Sequence, residues 1–361
     1  MTDLDLTADL LTLTRAICDV PSVSGEEGPL ADLVERALRA QPHLEVLRDG
    51  DTVVARTRLG RPRRVAVAGH LDTVPIADNV PSRVEGSGAD AVLWGRGTVD
   101  MKAGVAVQLA LAAELSAPVH DVTWVFYDHE EVAADLNGLG RVAAAHPDWL
   151  AADFAILGEP TAGGVEGGCN GTLRAEVVVP GVAAHSARAW MGVNAIHRAG
   201  ELLRRLEAYE PATVTVDGLE YKEGLNAVLV SGGTAANVIP DRCVVTVNYR
   251  FAPTRSVAEA EAHVRDVMAG YDVTVVDAAA GALPGLDEPA ARDFTAAVLG
   301  ATGRAPVAKL GWTDVARFSA LGVPAVNFGP GDPLLAHARD ERCPVAQIEQ
   351  VHAALRAWLV G

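Results

Sequence analysis

The apolar positions in the first part of the chain fall into short unbroken runs separated by a longer helical pattern. Runs rich in β-forming side chains cover residues 63–69, 122–127 and 153–157, and an Ala- and Leu-rich pattern over 104–115 is typical of a helix. Strands that are apolar throughout and alternate with helices indicate a buried, mostly parallel sheet covered on both faces. We therefore expect a mixed, mostly parallel α/β domain here.

The pattern changes near residue 173. Strand-like runs and amphipathic helices then follow in the order strand, helix, strand, strand, helix, strand, which is the order of a ferredoxin-like α+β unit. The predicted elements are strands 173–179, 227–231, 243–251 and 273–276, helices 194–209 and 256–271, and beyond them helix 290–299, strand 324–328 and helix 345–359. We predict a larger, discontinuous domain of residues 1–172 and 286–361, with residues 173–285 inserted as a smaller domain.

Polar residues directly follow the predicted strands of the larger domain, where open α/β sheets bind their ligands. Those that follow strands are His70, Asp72, Glu130, Glu131 and Glu159. Asp100 in a Gly-rich loop and His337 in a late loop complete the set. Two imidazoles and three carboxylates suit two divalent ions such as Zn²⁺. A further carboxylate must stay off the metals to move protons. Each residue alone has an ordinary explanation, such as a helix N-cap for Asp100, so the prediction depends on their joint position.

Composition narrows the possible partners. The net charge of −17 argues against nucleic acid and anionic membranes, because both bind positive patches. The cysteines contain no CxxC pair, so neither a disulfide framework nor a zinc knuckle is expected, and a reducing, cytoplasmic setting is the simple interpretation.

The segments HLDT, GRGTVDMKAG, EE and GEP, followed by a late histidine before a short acidic run, resemble the M20 family of dinuclear zinc amidohydrolases and peptidases. The resemblance runs the whole length of the chain. It implies a zinc-peptidase-like catalytic domain with an inserted lid and dimerisation domain. It also implies that His70 and Glu159 bind one zinc, that Glu131 and His337 bind the other, and that Asp100 bridges the two.

The same resemblance assigns the remaining polar residues of the larger domain. Glu130 would be the general base, and Asp72 would orient His70 from behind. The implied cofactor is a pair of Zn²⁺ ions, with Co²⁺ or Mn²⁺ able to occupy or support a site.

Segments of the inserted domain resemble the family's lid. In VAAHSARAWMGVNAI, His185 corresponds to a histidine that stabilises the oxyanion and is supplied by the partner subunit, which implies a homodimer. AANVIPD and NYRFAP give Asn237 and Arg250 as substrate-binding residues, and the late GWTDVARF segment gives Arg317. An arginine can hold a carboxylate with two parallel hydrogen bonds, and a surface ion pair is the alternative for each arginine.

Within the family, the closest resemblance is to members that remove succinate from N-succinyl-LL-2,6-diaminoheptanedioate, in lysine and diaminopimelate biosynthesis. Residues 169–172 replace an Arg-Arg-Gly-Ser stretch of some such members, and Trp312 replaces a small residue, which leaves the acyl group open. The alternatives are an acetylornithine deacetylase, another N-acyl-amino-acid amidohydrolase, a dipeptidase, or a catalytically silent metal-binding protein of the same fold. The Gly-rich 95–104 segment lacks the GxGxxG spacing after a strand, which excludes a nucleotide-binding oxidoreductase.

Overall fold

The computed structural model of the chain describes residues 3–300 and 302–361. The chain divides into two units, the first formed by Met1–Gly167, Pro284–Val307 and Arg317–Gly361, and the second by Gly168–Leu283 and Ala308–Ala316. The sequence pattern gave no sign that the Ala308–Ala316 segment joins the second unit.

Contacts of single residues hold the Ala308–Ala316 segment to the second unit. The Asn170 N–H donates to the Lys309 carbonyl at 3.2 Å, and the Trp312 indole N–H donates to the Ala280 carbonyl at 3.0 Å. Such hydrogen bonds leave no periodic pattern in the sequence.

The strands and helices are numbered in chain order. The strands are β1 (Glu45–Asp49), β2 (Thr52–Arg56), β3 (Arg64–His70), β4 (Arg83–Glu85), β5 (Val92–Trp94), β6 (Asp121–Tyr127), β7 (Phe154–Leu157), β8 (Glu166–Gly167), β9 (Gly171–Pro180), β10 (Ala184–His185), β11 (Thr213–Val216), β12 (Leu219–Lys222), β13 (Gly224–Gly232), β14 (Val238–Ile239), β15 (Arg242–Phe251), β16 (Asp272–Ala279), β17 (Val307–Ala308), β18 (Ala325–Asn327) and β19 (Arg342–Pro344). The helices are α1 (Leu10–Cys18), α2 (Gly28–Arg39), α3 (Lys102–Glu114), α4 (Gly138–Ala145), α5 (Ala195–Glu207), α6 (Val257–Val267), α7 (Pro289–Leu299), α8 (Val315–Ala320) and α9 (Val345–Val360).

The first unit is built on a mixed eight-stranded sheet. Its strands lie in the order β1-β2-β6-β3-β7-β18-β8-β17. The central strands β6, β3, β7 and β18 are parallel, whereas β1, β2 and β8 pair antiparallel with their neighbours. The buried, mostly parallel sheet expected from the apolar runs is therefore confirmed.

Helix α3 fills the middle of the first unit's core. Every residue from Lys102 to Ala112 is buried, which fits a helix that is apolar on all sides. It belongs to one large apolar cluster that includes Val67, Trp124 and Ile156 of the sheet.

A small three-stranded sheet in the order β19-β5-β4 lies beside the Gly-rich loop. Arg342 of β19 pairs with Trp94 of β5, immediately before that loop. The pairing therefore brings residue 341 and the preceding segment alongside residues 95–100.

The second unit contains a four-stranded antiparallel sheet in the order β13-β15-β9-β16. Among these four strands β9 comes first in the chain and β16 last, so the order across the sheet is second, third, first, fourth. This is the ferredoxin-like arrangement that the sequence predicted. Its core pairs Val245 with Val177 and Val247 with Ala175, and α5 and α6 contribute Leu202 and Val264. Short ribbons β10-β14 and β11-β12 complete the unit.

Within the described ranges, no helix has the length and apolar character needed to cross a membrane.

Candidate metal centre

Three neighbouring parallel strands deliver polar side chains to one edge of the first unit's sheet. β3 ends at His70, β6 is followed by Glu130 and Glu131, and β7 is followed by Glu159. Since β6, β3 and β7 are adjacent and parallel, their carboxyl ends lie at the same edge. The topology therefore brings these four side chains to one edge.

Asp100 lies between two imidazoles at this edge. Its Oδ1 is 3.2 Å from His70 Nε2, and its Oδ2 is 3.3 Å from His337 Nε2. His337 Nε2 is also 3.0 Å from Glu131 Oε1. Within the described part of the chain, the potential ligand atoms of His70, Asp100 and Glu131 all lie within 4.8 Å of one another. Imidazole and carboxylate donors at this spacing form a set that suits a divalent transition metal ion.

The charges of this cluster favour a bound cation. Burial by itself would lower the pKa of His70, but contacts with Asp100 and Asp72 raise this pKa well above its ordinary value. Hydrogen bonds to Asp100 and Glu131 raise the pKa of His337 to about 10. The carboxylates thus stabilise positive charge at both imidazoles. A metal ion that replaced those protons would meet the same negative potential.

Asp72 connects His70 with the carboxylate segment after β6. His70 Nδ1 is 3.0 Å from the Asp72 carbonyl oxygen and 3.4 Å from its Oδ1. The Asp72 carboxylate accepts hydrogen bonds from the backbone N–H groups of Glu130 and Glu131, each at 3.0 Å, and from the Ser24 hydroxyl at 2.7 Å. Burial opposes the shift, but the contact with His70 and these hydrogen bonds lower the pKa of Asp72 to about 2. Asp72 is therefore a charged, buried acceptor that orients both the imidazole and the backbone opposite it.

Glu341 holds the backbone of Asp100, and sequence reasoning missed it. Its Oε1 accepts hydrogen bonds from the N–H groups of Val99 at 2.9 Å and Asp100 at 3.1 Å. Its Oε2 is 2.8 Å from Arg96 Nη1, and both side chains of this pair are buried. Glu341 lies four residues after His337, so one loop supplies a contact to each side of Asp100. The acidic run after His337 was the available signal.

Glu159 and Glu130 differ in exposure. Glu159 is 5% exposed and follows Gly158, whose carbonyl packs closely against the start of α3. Glu130 is half-buried and precedes Glu131 on an irregular segment. One carboxylate is therefore deep in the protein, and the other is partly open to solvent.

Two of the predicted site residues of the second unit lie side by side. His185 is exposed and pairs with Val238 in the β10-β14 ribbon, next to Asn237. The Asn237 carbonyl accepts the Ser186 N–H at 2.8 Å. Arg250 lies on β15, and burial lowers the pKa of its guanidinium.

Arg317 belongs to the first unit and lies on α8. Its Nη2 donates to the Ala134 carbonyl at 3.1 Å, and a Cβ atom built at Gly140 would lie 2.6 Å from its Nη1. Its guanidinium therefore packs on the segment that follows Glu130 and Glu131.

Comparison with known proteins extends these observations. Residues 66–360 match peptidase family M20/M25/M40. The chain is 50% identical to the succinyl-diaminopimelate desuccinylase of Corynebacterium glutamicum, over 99% of this chain and 97% of that protein. It is 57% identical, over 99% of this chain and 100% of the other, to a Mycobacterium tuberculosis protein whose assignment as the succinyl-diaminopimelate desuccinylase DapE is provisional.

Solved structures share the fold. A tripeptidase from Staphylococcus aureus matches with a TM-score of 0.80 at 19% identity, over 99% of this chain and 98% of that one. An M20 family metallo-carboxypeptidase from Sulfolobus solfataricus matches with a TM-score of 0.77 at 14% identity, over 98% and 99%. At these identities the likeness concerns the fold alone.

Proposed function

Because this chain belongs to peptidase family M20/M25/M40, we propose that it is a succinyl-diaminopimelate desuccinylase. The reaction hydrolyses the amide bond of N-succinyl-LL-2,6-diaminoheptanedioate to succinate and LL-2,6-diaminoheptanedioate, in diaminopimelate and lysine biosynthesis. The observation that carries this proposal is the 50% identity to the C. glutamicum desuccinylase over nearly the full length of both proteins.

The donor set of the first unit supports a dinuclear metal centre. We assign His70 and Glu159 to one ion, Glu131 and His337 to the other, and Asp100 to both. The two Asp100 oxygens, each within 3.3 Å of a different imidazole, suit a bridging carboxylate. A pair of Zn²⁺ ions, for which Co²⁺ is a possible substitute, would polarise the amide carbonyl and make water a better nucleophile.

Glu130 is the side chain that we assign to proton transfer. It is half-buried beside the proposed ligands, and Asp72 fixes its backbone N–H at 3.0 Å. Glu130 removes a proton from the attacking water as the new C–O bond forms. It then delivers this proton to the amide nitrogen as the C–N bond breaks, so that succinate and a free amine leave.

Residues outside the metal centre would recognise the substrate. We assign His185 to the oxyanion that develops on the carbonyl oxygen, a contribution of about 3 kcal/mol for comparable donors. Asn237, Arg250 and Arg317 would hold the polar ends of the substrate, since guanidinium groups pair well with carboxylates. The substrate carries three carboxylates, so the two arginines would offset its repulsion by a protein of net charge −17.

We further propose that the protein is a cytoplasmic homodimer and that His185 acts on substrate bound to the second copy. The exposed position of His185 at the edge of its own unit is compatible with that role. Nucleic acid and membranes are not proposed as partners, because the strongly negative charge opposes both.

The test is a comparison of substrates with purified, zinc-loaded protein and its chelated form. N-succinyl-LL-2,6-diaminoheptanedioate, N-acetylornithine and a simple dipeptide are assayed side by side. Hydrolysis confined to the succinyl substrate and lost on chelation is the expected result. Preference for N-acetylornithine or for the dipeptide would replace the substrate assignment, and hydrolysis of none of them would remove it.

A further inference from the structure

The segment that carries Glu130 and Glu131 is fixed by hydrogen bonds that three of its successive backbone N–H groups donate. The His129 N–H donates to Glu27 Oε1 at 3.1 Å. The next two N–H groups, of Glu130 and Glu131, donate to Asp72 Oδ1 and Oδ2 at 3.0 Å each. Glu27 and Asp72 are both 0% exposed. Two buried carboxylates therefore hold the whole segment from behind.

The backbone at His129 explains why this support is needed. His129 has φ +58°, in the left-handed region that costs a residue with a side chain about 1–2 kcal/mol. Such a conformation persists where the surrounding structure holds it. Here the Glu27 carboxylate accepts the N–H of His129 itself.

Glu27 is itself rigidly held. Its Oε2 accepts the Gly25 N–H at 2.8 Å, so each carboxylate oxygen has its own backbone donor. Three residues before Gly25, the Ser22 hydroxyl donates to the carbonyl of Leu71, the residue directly after His70, at 2.6 Å. The segment that carries Glu27 therefore connects the end of β3 with the end of β6.

We propose that Glu27 is a positioning residue for the hydrolysis. By holding the His129 N–H, it sets the path of the chain into Glu130 and Glu131, and thereby the places of the proposed base and metal ligand. Asp72 accepts the N–H groups of the two following residues, whereas the His129 N–H donates to Glu27. This inference rests on the proposed function for the roles of Glu130 and Glu131.

The substitution Glu27→Gln tests this role with little change in size. The carboxylate offers two acceptor oxygens, whereas an amide offers one acceptor oxygen and one NH₂ donor. In the variant, either the Gly25 or the His129 N–H must therefore face another donor. The turn at His129 would lose support without the loss of any residue of the metal centre.

Asp121→Asn is a matched control. Asp121 is 4% exposed, and its two oxygens also accept backbone N–H groups, those of Leu59 at 2.8 Å and Arg61 at 2.9 Å. It lies at the start of β6, whereas the carboxylate segment lies at the end of the same strand. Asp121→Asn and Glu27→Gln both replace a buried carboxylate with an amide, but Asp121 lies far along β6 from the segment that carries Glu130 and Glu131.

The experiment measures kcat and KM for N-succinyl-LL-2,6-diaminoheptanedioate and the visible absorption spectrum of the cobalt-loaded proteins. Glu27→Gln is expected to lower kcat by about 10- to 100-fold, since a displacement of about 1 Å costs on that order. Its KM should change by less than about threefold, because the proposed substrate-binding residues are untouched. Its cobalt spectrum should change, while Asp121→Asn keeps the wild-type kcat and spectrum and loses only stability.

A Glu27→Gln protein that matches Asp121→Asn in both kcat and cobalt spectrum would overturn the proposal. If the wild type does not hydrolyse the substrate, the proposed function fails and the spectra alone decide. A spectral change confined to Glu27→Gln then supports the positioning role, and unchanged spectra overturn it. Should Glu27→Gln not fold, Glu27→Asp replaces it, because the shorter side chain cannot reach the His129 N–H unless the segment moves. Wild-type kcat and spectrum in that variant would equally overturn the proposal.

Discussion

At the scale of single residues, buried carboxylates organise the candidate centre as much as the proposed ligands do. Asp72 and Glu341 accept backbone N–H groups of the segments that carry Glu131 and Asp100. Both acceptors are at most 1% exposed, so solvent does not weaken these contacts. Such partners orient ligands before a metal ion binds.

Glu341→Gln is expected to weaken zinc binding by about 10- to 100-fold, as is typical when an outer partner of a ligand is removed. The amide of the variant has only one acceptor oxygen. That oxygen can face either the Val99 and Asp100 N–H groups or Arg96, and the NH₂ group then faces the other donors. Because Arg96 would be left buried without its charged partner, we also expect the unfolding free energy to fall by about 3 kcal/mol. Competition with a chromophoric chelator and urea unfolding measure the two effects.

The control for this prediction is Asp340→Asn. Asp340 is the neighbouring acidic residue, its side chain is 64% exposed, and it pairs only on the surface with Arg342. Its substitution should change stability by less than about 1 kcal/mol. Equal effects of the two variants on zinc binding would contradict the role given to Glu341.

The ligand candidates and the supporting residue Asp72 could be predicted at this scale, whereas the supports Glu27 and Glu341 could not. His70, Glu131 and Glu159 follow apolar runs at recognisable positions, so residue type and place in the pattern identified them. Glu27 and Glu341 act on backbone N–H groups 102 and 241 residues away in the chain. A contact with a backbone atom leaves no mark on the sequence of its partner.

At the scale of elements, the close packing of α3 against the end of β7 positions Glu159. Gly104→Ala should disturb it, because the added Cβ would lie 2.3 Å from the Gly158 carbonyl oxygen. We expect a loss of about 1–3 kcal/mol in stability from this overpacking, together with weaker zinc binding. Thermal unfolding and zinc titration of the variant provide the measurement.

Gly200→Ala makes the same change in α5, where the nearest atom to the new Cβ would be Arg204 Nη1 at 4.0 Å. It should stabilise its helix by up to about 1 kcal/mol, since alanine is the better helix former. If Gly104→Ala were as well tolerated as Gly200→Ala, the packing argument would be wrong.

Asp121 predicts a pH dependence at the start of β6. Burial opposes the shift, but the Leu59 and Arg61 N–H groups lower the pKa of Asp121 below its ordinary value of 3.8. A depressed folded-state pKa contributes stability that is fully present above the unfolded value and is lost as the pH falls through the folded value. Asp121→Asn should therefore cost about 1–2 kcal/mol at pH 7, and the difference from the wild type should shrink below about pH 4. Urea unfolding at both pH values tests this, and a difference that grows in acid would have the wrong sign.

The elements themselves were predictable to the extent that their side chains are buried on both faces. β3, β6 and β7 are unbroken apolar runs, and no end of a predicted range differs from the observed end by more than one residue. β1 is half-buried along its whole length and contains charged residues, so it gave no apolar run. Its antiparallel pairing with β2 appeared only in the structure.

At the scale of the whole molecule, a metal ion that binds only the folded chain must stabilise it. At a free zinc concentration of about 1,000 times Kd, this linkage contributes about 4 kcal/mol. Exhaustive chelation should therefore lower the unfolding temperature and abolish hydrolysis, and added zinc should restore both. Glu131→Ala, which lacks a ligand of one of the two proposed ions, should show a smaller zinc-dependent rise than the wild type. Full activity after chelation would contradict a metal-dependent reaction.

The central claim is that Glu130 transfers the proton in a zinc-dependent release of succinate. The most direct measurement is the kcat for N-succinyl-LL-2,6-diaminoheptanedioate of the wild type and Glu130→Gln, with zinc content determined on the same samples. We predict equal zinc content and a kcat lower by about 10²- to 10⁴-fold in the variant, the range typical of general acid–base groups. A variant with equal zinc content and near wild-type kcat would contradict the account.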